Sequence, residues 1–223
     1  MYFVHRIRTK RKRMAALALL PVAALTASNA VALTAPPANP TATTATASGV
    51  ELKLGKRHTL SGKKVPVKGT VHPGGVRKVA IIVDGKQQKE LKTKPDGTFH
   101  GKVTTDDPGT YKVQAIVRQD HVPTARSERR ELNVYHVVQA SYYGPGLYGN
   151  GVACGGTLTP SKLGVANKTL PCGTKVTLHH GKNTITVPVI DRGPYSGNRV
   201  YDLTAATKNK LGYVGIGPIW ATK

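Results

Sequence analysis

The 223 residues predict an all-β protein of two folded modules behind a non-globular N-terminal stretch. Three observations carry this expectation. Between Val50 and Tyr135 apolar residues recur with period two, in VPVKGTV (65–71), RKVAIIVDG (77–85), GTFHGKV (97–103) and GTYKVQAIV (109–117). Asp84-Gly85, Asp96-Gly97 and Pro108-Gly109 supply turns between these runs. From Val137 the texture changes to Gly, Tyr and Pro, yet short runs persist in KVTLHH (175–180) and TITVPVI (184–190), which Gly181-Lys182-Asn183 joins as a hairpin. Against this background LTAATKNKLG has the spacing of one short helix, with Leu203, Ala206 and Leu211 in phase and Gly212 as its stop.

The N-terminus precedes both modules. HRIRTKRKR (5–13) is a basic region and MAALALLPVAALTA (14–27) an apolar run too short to span a bilayer. Small residues near Ala30 and Ala32 suit cleavage. Residues 1–32 are therefore expected to be a secretory signal peptide, leaving no stable membrane span once removed. Residues 33–49, LTAPPANPTATTATASG, hold neither charge nor aromatic ring and read as a disordered Thr/Ala/Pro linker. The expected modules are then a β-sandwich over 50–136 and a second β domain over 137–223.

Charge narrows the partners. The chain carries +22, and residues 31–223, with 27 basic and 11 acidic side chains, still carry +16. Such a surface attracts polyanions. Export removes nucleic acid from the candidates and leaves anionic polymers of the cell wall, met by the Lys-rich face at Lys86, Lys89, Lys92 and Lys94. Cys154 and Cys172 are the only two cysteines, and in an oxidising compartment they most simply form one disulfide. No residues stand at metal-ligand spacing, and neither a metal nor another cofactor is expected.

The C-terminal half offers few groups for acid–base chemistry. Over 137–223 the only carboxylates are Asp191 and Asp202. Asp191 ends an apolar run and opens the turn Arg192-Gly193-Pro194, so a carboxyl at this strand end is firmly held yet faces outward. Asp202 follows a second apolar run just before the predicted helix, where a carboxylate commonly meets free amide groups. His179 and His180, at the hairpin tip, read as a solvated turn.

The first module resembles the immunoglobulin-like sandwiches of bacterial surface proteins, in architecture only. In the second, ASYYG, KTLPCGTKV, VPVIDRGP and YDLT, in this order and spacing, resemble the rare lipoprotein A (RlpA-like) family over about residues 138–223. That resemblance implies a six-stranded double-psi β-barrel, related to those of expansins and barwin, and a lytic transglycosylase that cleaves peptidoglycan glycan strands. It implies Asp191 as the acid, with Asp202 lining the glycan groove. Asn167, Tyr142, Tyr143, Tyr148 and Arg192 are the expected substrate contacts, the tyrosines as flat faces for sugar rings. The chain departs from the family pattern at Asn167, where members commonly have His, and near Gly156, where they have an acidic residue. An amide binds but does not carry a proton, so a glycan-binding barrel without catalysis is the alternative reading. Either function places the protein outside the cytoplasm, secreted or on the cell wall.

Overall fold

The computed structural model describes residues 49–119 and 122–223; the expected signal peptide and nearly all of the expected linker lie outside the described residues. The described chain is all-β, with a single short helix among them. Its first strands are β1 (Gly49–Leu54), β2 (His58–Leu60), β3 (Val65–His72), β4 (Lys78–Val83), β5 (Lys86–Lys92), β6 (Thr98–Val103), β7 (Gly109–Gln119) and β8 (Val122–Arg126). β9 (Arg130–Tyr143), β10 (Val165–Ala166), β11 (Lys175–His180), β12 (Asn183–Asp191) and β13 (Tyr201–Thr204) follow, then helix α1 (Ala205–Leu211) and β14 (Gly217–Ala221).

Two sheets pack over one core in the first half. β1, β3 and β6 form one sheet, and β5, β4, β7 and β9 run side by side in the other. The alternation seen in sequence places Leu52, Val67, Val71 and Phe99 of the first sheet against Val79, Ile81, Val113, Leu132 and Val134 of the second. One glycine is dictated by this packing: a Cβ on Gly69 would lie 2.0 Å from the Glu51 carbonyl oxygen and 2.4 Å from the Phe99 ring.

β9 belongs to both halves. Its first residues, Leu132 and Val134, sit in the sandwich core, and Ala140, further along, sits in the core of the second half. The boundary expected between 136 and 137 thus falls within a continuous strand. Beyond it, β9, β14, β11, β12, β10 and β13 pair in that order, and β13 returns to pair with β9. The ring is closed, which leaves this six-stranded barrel no free edge. Val165, Val176, Val187, Val189, Tyr201, Leu203 and Ile219 fill it.

Helix α1 begins as its residues demand. Thr204 is the N-cap, its hydroxyl accepting from the Thr207 amide, and Gly212 closes the helix at φ 64°. The cap is Thr204 and not Asp202, which stands two residues earlier within β13. The histidine pair also departs from expectation. His179 is half-buried, its ring 4.9 Å from that of His58 and nearly parallel to it, with Tyr135 and Trp220 alongside. The hairpin tip packs on β2 and β9, from residues far away in sequence, so His179 is not a solvated turn residue.

Candidate functional site

Strand register brings the two carboxylates together. Ala166 of β10 lies opposite Asp191 of β12 on one side and opposite Asp202 of β13 on the other; Asp202 in turn lies opposite Ser141 of β9. Two strand spacings separate the aspartates, about 10 Å between their Cα atoms.

An irregularity aims Asp191. Along β12, Val187 and Val189 point into the barrel core, and unbroken alternation would send Asp191 after them. Between β10 and β12 the register shifts, however: Val165 faces Val189 while the next residue, Ala166, faces Asp191. One extra residue, Ile190, is accommodated there. It packs with Val152, Leu158 and Tyr143 away from the barrel core, and Asp191 leaves the core phase. A bulge of this kind re-aims a side chain that the alternation would otherwise bury.

The Asp191 carboxyl is then held on one edge. Its Oδ1 accepts from the backbone N–H of Ala153 at 2.9 Å and of Arg192 at 2.8 Å; no protein donor meets Oδ2 among the described residues. Asp202 Oδ1 accepts from the Ser141 hydroxyl. Tyr143 shares the face of Ser141, two residues along β9, and its hydroxyl is buried without a hydrogen-bond partner. Burial pushes this phenol's pKa up, the Asp191 carboxylate raises it further by its charge and as a hydrogen-bond partner, and Asp202 adds to the same shift, so it stays a protonated donor. The Tyr143 phenol is thus a buried donor set beside the Asp191 carboxylate.

The loops that flank Asp191 are tied together. Cys154 and Cys172 form a disulfide; the Cys154 amide donates to the Ile190 carbonyl and the Gly173 amide to that of Val189. Both loops are thereby fastened to the last residues of β12.

Two expected substrate contacts have other work. Asn167 is buried: its Oδ1 accepts from the amides of Thr169 and Leu170 at 3.0 and 2.8 Å, and its Nδ2 donates to the Val200 carbonyl. Arg192 turns its guanidinium back onto the Asn167 and Leu170 carbonyls and the Cys172 sulfur. Tyr142 lies on the opposite face of β9 from Tyr143, exposed, with Lys208 Nζ 4.7 Å above its ring. Tyr148 is exposed against Gly144 and Ala205. The structure thus gathers Asp191, Asp202 and Tyr143, with Asn167 and Arg192 engaged on backbone groups and Tyr142 on the other face of β9. Sequence reading passed over Ser141 as a carboxylate partner and the Ala153 amide; the alternation Ser141–Tyr143 in ASYYG was the available signal for the first. Among the described residues no three His, Cys, Asp or Glu side chains gather as metal ligands.

A closed six-stranded barrel with one short helix and an Asp-Arg-Gly-Pro turn at a strand end defines the double-psi β-barrel class. Residues 137–220 match the family described as "Lytic transglycolase". Three relatives agree. The chain is 39% identical over 111 residues to the endolytic peptidoglycan transglycosylase RlpA of Campylobacter jejuni, covering 49% of this chain and 39% of the relative. It is 42% identical over 91 residues to the RlpA of Pseudomonas aeruginosa, covering 39% and 26%. It is 40% identical over 75 residues to the probable RlpA of Synechocystis, covering 33% and 23%. Over these residues the barrel is similar to the RlpA-like double-psi β-barrel family. The chain spans between about a quarter and two fifths of the length of these relatives.

Proposed function

We propose that the barrel is a peptidoglycan lytic transglycosylase with Asp191 as its single acid and base. The observation that carries this is the Asp191 carboxyl, held through Oδ1 by two backbone amides with Oδ2 left for a substrate, in a domain whose relatives are named endolytic peptidoglycan transglycosylases. Hydrolysis by two carboxylates requires one of them to activate water or attack the sugar. Here Asp202 is engaged by Ser141, which favours a reaction that one carboxyl completes alone.

The protonated Asp191 gives its proton to the glycosidic oxygen and the C1–O bond breaks. The carboxylate then takes the proton of the muramoyl 6-hydroxyl as its oxygen bonds to C1, closing a 1,6-anhydro ring and regenerating the acid. Water takes no part. Tyr143 and Asp202 hold the sugar beside Asp191, and Asn167 and Arg192 brace the backbone around them.

On the same reading residues 1–32 direct export, 33–49 tether, 50–136 form an immunoglobulin-like sandwich, and the protein works outside the cytoplasm on glycan strands and anionic wall polymers. No helix among the described residues is long and apolar enough to cross a membrane.

The test is incubation of the purified protein and its Asp191→Asn variant with peptidoglycan sacculi, followed by mass spectrometry. Anhydromuramoyl fragments from the native protein alone are the expected result. Cosedimentation of both proteins with sacculi and fragments from neither would instead support the glycan-binding alternative, which the commitment of the Asn167 amide to backbone groups favours.

A further inference from the structure

A basic cleft opens on the outer face of the sandwich, on strands that contribute nothing to the barrel. It has a volume of about 390 Å³, and Arg118, Arg126, Arg129 and Lys112 are among its walls. Its floor is aliphatic: Ile82 and Ile116 point out of the sandwich core yet are only 8% and 5% exposed. Ile116 lies opposite Arg126 in the β7–β8 ladder, and Arg118 stands two residues further along β7. The two guanidinium stems therefore start as diagonal neighbours, about 7–8 Å apart.

Two acids stand near the cleft, Asp84 on its lining and Glu131 outside it. Asp84 Oδ1 accepts from the Lys112 amide at 2.6 Å, and Glu131 pairs with Lys112 Nζ at 2.7 Å. Arg118, Arg126 and Arg129 form no ion pair among the described residues, whose ion pairs are Lys53–Glu51, Lys78–Glu90, Lys112–Glu131 and Arg130–Glu128. Among the described residues the three guanidinium groups outnumber the one carboxylate of the lining, Asp84, and leave positive charge in excess over an apolar floor; a guanidinium matches phosphate oxygens two at a time.

We propose that this cleft is a second binding site, for a flexible phosphodiester polymer of the cell wall, with Arg118, Arg126 and Arg129 meeting successive phosphates and Ile82 and Ile116 meeting the carbon units between them. Among the described residues the lining contains no aromatic ring, and stacking on aromatic rings is what holds the bases of single-stranded nucleic acid. A membrane surface is disfavoured as well, because the floor is recessed and offers no exposed apolar anchor. The site would hold the protein on an anionic wall while the barrel reaches the glycan, and it stands whether or not the barrel cleaves.

The experiment measures binding of the purified protein to poly(glycerol phosphate) and, in parallel, to a single-stranded oligonucleotide of equal charge. Two triple variants remove the same charge: Arg118→Gln/Arg126→Gln/Arg129→Gln in the cleft, and Lys63→Gln/Lys64→Gln/Lys102→Gln away from it. Circular dichroism and urea midpoints establish that both fold. The expected result is a loss of about tenfold or more in affinity for the cleft variant, with the salt slope of log K reduced by about two, and a loss of no more than about twofold for the control. Equal losses from both variants would reduce the effect to general surface charge and overturn the site. Equally tight binding of the oligonucleotide, lost equally in the cleft variant, would overturn the assignment to a wall polymer.

Discussion

Removing the disulfide tests how Asp191 is positioned. Replacing Cys154 and Cys172 together by Ala opens a covalent loop with a sequence separation of 18. Closing a loop of that size restricts the unfolded chain by about 3 kcal/mol in the chain-entropy model. Native backbone hydrogen bonds remain: the Cys154 amide on Ile190, the Gly173 amide on Val189, and the Ala153 amide on Asp191 Oδ1. Both loops thus keep a reason to stay in place, and the variant should fold with its stability lowered by about 3 kcal/mol. Urea unfolding followed by fluorescence of Trp220, whose ring is near Tyr135 and His179, reads the change as a lower midpoint, with the slope fitted separately because the freed denatured chain exposes more surface. The native protein treated with reductant should shift by the same amount. A loss below about 1 kcal/mol would refute the reasoning, since the denatured chain would then already hold the two loops together. In sacculus digestion the variant should keep the product type and lose rate, because only the Ala153 donor is loosened. Abolished activity in a folded variant would mean that the disulfide itself is required at the glycan.

Further expectations follow from single contacts. Asn167→Ala leaves the buried amides of Thr169 and Leu170 without an acceptor and should cost about 2 kcal/mol in urea unfolding; a neutral result would return the amide to the substrate. Gly164→Ala would place a Cβ 2.6 Å from Ile190 Cδ1 and should cost about 2 kcal/mol. Combined with Ile190→Ala it should cost less than the sum of the two, and strict additivity would refute the close approach. The stacked His58 and His179 both have pKa values below the usual 6.5. Burial is the main cause for each; Arg57 also lowers His58, against Glu131, and His58 and His180 also lower His179. The folded state therefore binds these protons less readily than the unfolded chain. Stability from this stack is complete above about pH 6.5 and falls as the pH drops from there through the lowered folded values. Urea midpoints at pH 7.5 and 5.5 should differ less in His58→Phe/His179→Phe than in the native protein; an unchanged pH dependence would refute the coupling.

Much of the fold was legible because the information was local. Period-two runs with Asp-Gly and Pro-Gly turns marked the strands, and the β11–β12 hairpin and α1 lie close to where their residues predicted them. Asp191 and Asp202 stood out as the sole carboxylates of their half, and two cysteines have one way to pair. Other features were set by partners remote in sequence. Ser141 reaches Asp202 across 61 positions and Ala153 reaches Asp191 across 38. The commitment of Asn167 and Arg192 to backbone carbonyls and amides, the stacking of His179 on His58, and the passage of β9 through both cores were likewise invisible in the chain's own order. The outward aim of Asp191 was expected from its place at a strand end, but the means was not legible: the shifted register against β10 is what takes it out of the core phase. Residue pattern determines which face a strand would bury. Which residues meet across strands, and where the ladder slips by one, is decided when the barrel closes and each buried amide and carboxyl must find its partner.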